Sequence, residues 1–182
     1  MNQYDKPHLM IHLILFVLTG FFSSPVFSAT VLEAEPGLIM DVAAPNALPK
    51  TVHQREVSGP VGEVYNKLFT ALENNAYFVI NEPDIGKTLA RFSQRWGKDY
   101  NKNEIQSYRS LVFCNAWYAN EITNADPSMA LICPQHITVI QIQNKTRLLY
   151  ALPGVVAQNS PAASIIKAME DEIVKIIDES AR

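Results

Sequence analysis

The chain has 182 residues, which fits one domain with extra length at its N-terminus. Hydrophobic residues make up 48% of it and charged residues 18%, the balance of a globular protein with a real core. A formal net charge of −3, with no basic block and no interleaving of basic and aromatic residues, argues against nucleic-acid binding.

Lys6 and His8 precede an apolar run at residues 9–22. The run is too short and too early for a secure membrane span and suits the apolar region of a signal peptide. Val26 and Ser28 put small residues where cleavage after Ser28 requires them; an uncleaved N-terminal anchor is the alternative. The expectation is a signal peptide at 1–28 and an exported product, periplasmic or secreted, with no stable membrane span after cleavage. Residues 29–50 carry Pro36, Pro45 and Pro49, and their apolar residues keep no sustained period, so they read as an extended arm.

The domain proper should occupy residues 51–182. Residues 51–58, closed by Gly59-Pro60, read as an edge strand. Val61, Val64, Leu68 and Leu72 then recur at helical spacing, predicting a helix over residues 60–74. Residues 77–80 form a short strand broken by Pro83. Asp84 can cap a short helix carrying the stripe Ile85, Leu89, Phe92 and Trp96, which should pack on the sheet and ends at Gly97. A polar loop with Tyr100 leads to a strand at 105–114. Asn115 is a strong N-cap for a short helix over 116–124, stopped by Asp126-Pro127. Residues 135–143 are apolar on both parities, which predicts either a β-bulge or a strand buried on both faces. Asn144-Lys145 reads as the hairpin turn, and 146–152 as the return strand. Ser160-Pro161 opens a terminal helix whose apolar face is Ile165, Ile166, Met169, Ile173, Ile176 and Ile177, with Lys167, Glu170, Asp171, Glu172 and Asp178 mostly away from it. The whole is an α+β two-layer sandwich, mostly antiparallel with helices on one face.

Chemistry concentrates at residues 113–139, which hold both cysteines. Cys114 and Cys133 allow three readings: a disulfide in an oxidising compartment, two non-bonded buried thiols, or a metal site completed by His136. A fourth metal ligand would come from Asp126, Met129 or water, and the spacing selects none of them. No paired carboxylates and no Gly-rich phosphate loop are present, and with seven glycines in all a nucleotide site is not expected. Phe92, Trp96, Trp117 and Tyr118 are candidate walls of a pocket between layers.

Cys114-Asn115, Ala119, Pro127, Leu131 and Pro134, followed by apolar strand residues, resemble the domain of unknown function 302 family. Weaker similarity runs over residues 51–151. The resemblance implies a TBP-like β-α-β4-α sandwich and supplies almost no function. The chain departs from the family pattern at Ala116, where members carry Pro, and at Gln135, where members carry their second Cys. The family's cysteine pair therefore does not transfer directly.

The resulting expectation is a protein that binds a small molecule or a protein partner without catalysis, with no cofactor and with a homodimer left open. Its binding candidates are Cys114, Asn115, Trp117, Tyr118, Cys133 and His136. A redox or metal-handling protein using Cys114, Cys133 and His136 is the alternative.

Overall fold

The computed structural model describes residues 49–182. The signal peptide expected at 1–28, and all but the last two residues of the arm at 29–50, lie outside the described residues.

Five strands form one antiparallel sheet: β1 (Val52–Ser58), β2 (Phe78–Asn81), β3 (Ser107–Cys114), β4 (Gln135–Ile142) and β5 (Lys145–Ala151), in the spatial order β1-β5-β4-β3-β2. Alternation decides which side is covered. Leu111 and Phe113 of β3, Ile137 and Val139 of β4, and Leu148 and Tyr150 of β5 share one face and are buried in the core. The other parity, with Val112, Ile140 and Leu149, is only half-buried. β1 is an edge strand, as its polar composition predicts.

The core face is roofed by α1 (Val61–Asn74), α4 (Ala116–Ala125) and α5 (Ala163–Ser180). Each lays a stripe at helical spacing on the sheet: Val64, Tyr65, Leu68 and Leu72 from α1, Tyr118 and Ile122 from α4, and Ile166, Met169, Ile173 and Ile177 from α5. Every Leu or Ile fully buried in this layer contributes about 1.5–3 kcal/mol against exposure. The architecture is the predicted α+β sandwich. At its far edge, Asp178 of α5 accepts hydrogen bonds from Arg55 Nη2 at 2.7 Å and pairs with His53 Nε2 at 2.8 Å. The Arg55 guanidinium, with His53 assisting, pulls that carboxyl down to about 2.

Four local expectations change. No bulge interrupts β4, which pairs in continuous register with β3 and β5; the irregularity lies in β2, between Val79 and Asn81. The two-faced apolar pattern of β4 instead reflects a covered face and a half-covered one. The hairpin turn is Gln143-Asn144 (φ 48° and 62°), because the primed turn needs positive φ at both central residues and Lys145 already pairs with Ile142. Ser160 does not cap α5 directly: its hydroxyl accepts from the Ala162 N–H and donates to Asp126, while α5 begins at Ala163. Glu170 turns inward rather than to solvent, being 6% exposed and accepting the Gly154 N–H at 2.8 Å. That bond explains its burial.

Candidate functional site

Cys114 ends β3 and faces Phe78 of β2 in the ladder. The next residue turns the chain. Asn115 holds an extended backbone, and its side-chain oxygen accepts the N–H groups of Trp117 at 3.0 Å and Tyr118 at 3.1 Å, starting α4. After α4, Asp126 accepts from the Ser128 N–H and opens a 3-10 segment, Pro127–Ile132, that carries the chain back to Cys133. Cys114 and Cys133 form a disulfide with Cα atoms 5.8 Å apart, inside the usual span. The Cys133-Pro134 peptide is cis. His136 is exposed on β4 opposite Val112, on the same sheet face as Cys114. Since each sulfur is bonded to the other, neither is a thiolate ligand or nucleophile in this state. Among the described residues no group of three His, Cys, Asp or Glu side chains is arranged to hold a metal ion.

Tyr118 is buried, and its hydroxyl donates to Glu172 Oε1 at 2.7 Å, while Tyr77 donates to Oε2 of the same carboxylate at 2.9 Å. The two rings stack with centroids 6.3 Å apart. Burial, followed by the hydrogen bond to Glu172, pushes the Tyr118 phenol up to about 12 and raises Tyr77 by the same causes. Trp117 is 63% exposed, against the edge of Tyr118. Of the six residues singled out by sequence, Cys114, Asn115, Tyr118 and Cys133 thus hold the fold together. Trp117 and His136 remain open to solvent.

A cleft of about 380 Å³ lies elsewhere, where α2 (Ile85–Ala90) and α3 (Ser93–Trp96) meet the start of β3. Leu89, Trp96, Tyr100, Ile105 and Tyr108 wall it, and none of the six residues above lines it. Local sequence explains the shape. Asp84 caps α2 by accepting from the Lys87 N–H at 2.8 Å. Gly86 faces β3, where a Cβ would make ordinary van der Waals contact 3.4 Å from the Tyr108 nitrogen. Gly97, at φ 50°, then turns the chain away.

The returning loop is clamped. Asn101 and Glu104 both adopt positive φ, 46° and 52°, which costs energy in a non-glycine residue. The Asn101 side chain repays that strain by bonding Ile105 twice, donating to its carbonyl at 3.0 Å and accepting its N–H at 2.9 Å. Asp99 and Lys102 pair at 2.6 Å across the same turn.

The stripe expected to pack on the sheet does not do so throughout. The helix breaks after Ala90, neither α2 nor α3 has a buried residue, and Phe92 and Trp96 stay 47% and 42% exposed. Instead Trp96 packs between Phe92, at 5.9 Å, and Tyr100, whose ring lies 6.3 Å away and nearly parallel at 13°. Sequence reasoning named Trp96 but missed Tyr100, Ile105 and Tyr108. The four-residue spacing of Phe92, Trp96 and Tyr100 was the available signal, obscured by Gly97 between the last two.

The sequence profile of the family described as Domain of unknown function DUF302 matches residues 53–180. Among solved structures, the crystal structure of an uncharacterized conserved DUF302 protein from Bacillus stearothermophilus is similar. Its TM-score is 0.62 at 20% identity, covering 74% of this chain and 100% of that one, a likeness of fold alone. No curated protein matches the chain.

Proposed function

The chain belongs to the DUF302 family, and from that premise we propose that it is an exported protein that binds a small ligand or a partner without catalysis, using the cleft beside Trp96. One observation carries the reading. The cleft is walled by Leu89, Trp96, Tyr100, Ile105 and Tyr108, and one wall is a loop that the Asn101 side chain clamps to Ile105 in a strained conformation. Apolar walls with a few polar groups are what a ligand site needs, and a wall fixed in advance lowers the entropy lost on binding. Export is supported by the Cys114–Cys133 disulfide, because such bonds persist in oxidising compartments. A redox or metal-handling role at Cys114, Cys133 and His136 has less support, since the two sulfurs are engaged with each other.

Thermal unfolding of the purified protein against a library of sugars, anions, peptides and aromatic compounds tests the reading. A true cleft ligand at a hundredfold excess over its Kd stabilises the wild type by about 2.7 kcal/mol. It should leave Trp96→Ala nearly unmoved. A ligand that shifts both proteins alike binds elsewhere and removes the cleft from the function.

A further inference from the structure

We infer that the cleft selects a neutral, flat aromatic compound of one or two fused rings; this deepens the binding reading above and rests on it. The volume is the first constraint. At about 380 Å³ the space stands near the small end of ligand sites, too small for an extended peptide and sufficient for a compact ring system.

Charge is the second. The charged groups lining the cleft are Asp99 and Lys102, and they neutralise each other at 2.6 Å. Their charges cancel, so the lining offers neither an anion nor a cation a net attraction.

Hydrogen-bonding capacity is the third constraint, and it separates an aromatic ligand from a sugar. Both could lie against the aromatic walls, but a sugar also needs a dense set of free donors and acceptors around its rim. Here the Asn101 amide is already engaged at both ends with Ile105, and Asp99 with Lys102. Apart from the remaining N–H groups and oxygen of the solvent-exposed Asp99–Lys102 pair, the uncommitted lining side chains are the Asn103 amide and the hydroxyls of Tyr100 and Tyr108. That set can satisfy one or two polar substituents. Apolar and aromatic contact with Trp96, Tyr100 and Tyr108, which line the cleft together, then supplies the main attraction.

Calorimetric titration with three probes tests this: 2-naphthol as the neutral aromatic, naphthalene-2-sulfonate as an anionic compound with the same rings, and methyl glucoside as the neutral sugar. The protein is used as wild type, Trp96→Ala and Trp117→Ala, with far-ultraviolet circular dichroism confirming that each is folded. Expected is saturable binding of 2-naphthol that Trp96→Ala weakens by about tenfold or more and Trp117→Ala leaves unchanged. The sulfonate should bind more weakly and the glucoside not at all. Binding of 2-naphthol that survives Trp96→Ala, or that Trp117→Ala abolishes, overturns the inference. Glucoside or sulfonate binding that outdoes 2-naphthol and is lost in Trp96→Ala also overturns it, yet leaves the cleft as a binding site. If no probe binds, the neutral-aromatic inference falls, and only the failure of the whole library removes the broader reading with it.

Discussion

Asn115 shows how one side chain decides where an element begins. Its carbonyl oxygen takes two N–H groups that the first turn of α4 would otherwise leave without partners. Asn115→Ala should therefore cost about 1 kcal/mol in urea-induced unfolding, and a variant as stable as wild type would show that water replaces the cap. Tyr118 makes a prediction in alkaline solution. Its phenol is neutral in the fold up to about 12, against 10.0 ordinarily, so folding favours the protonated form. Its contribution is fully present below pH 10 and is lost as pH rises through 12. Urea midpoints measured up that range should fall more steeply for wild type than for Tyr118→Phe. Both Asn115 and Asp84 were legible as caps, because a cap is a contact within three residues of chain. Glu170 was not. Helical spacing places it beside the polar residues, and the Gly154 N–H, reached by folding, together with Lys167 one turn back, makes burial tolerable.

Between elements, the disulfide ties the end of β3 to the chain entering β4, across a sequence separation of 19. Closing a loop of that size restricts the unfolded chain, so replacing both cysteines by serine should cost about 3 kcal/mol in chemical denaturation. Unchanged stability would mean that the β3–β4 ladder alone holds this corner. The elements themselves were mostly readable from periodicity, with α1 and α5 announcing their buried stripes plainly. The boundaries were less so. The turn lies at Gln143-Asn144, one residue before the expected Asn144-Lys145, because Asn tolerates positive φ at either central position and only cross-strand pairing settles which it takes. The break between α2 and α3 was hidden for a related reason. Ile85, Leu89, Phe92 and Trp96 keep helical spacing through the break, and spacing carries no information about what lies opposite.

At the scale of the molecule, one core face organises everything described. Ile173 sits fully buried in it between sheet and helices, and Ile173→Ala should cost about 3 kcal/mol by cavity formation, read as a lower urea midpoint at unchanged slope. The pattern of apolar residues determined by itself the fold class, the element order and the buried stripes of α1 and α5. These follow from local periods of two and about 3.6 residues, which any reader of the chain can count. The tertiary structure alone decided that Cys114 reaches Cys133 rather than His136, that Glu170 is buried, and that Trp96 meets Tyr100 and Tyr108 in a cleft rather than entering the core. Each is a meeting of residues distant in the chain or separated by a turn. The cleft in particular depends on the angles at Gly97, Asn101 and Glu104, which no spacing encodes.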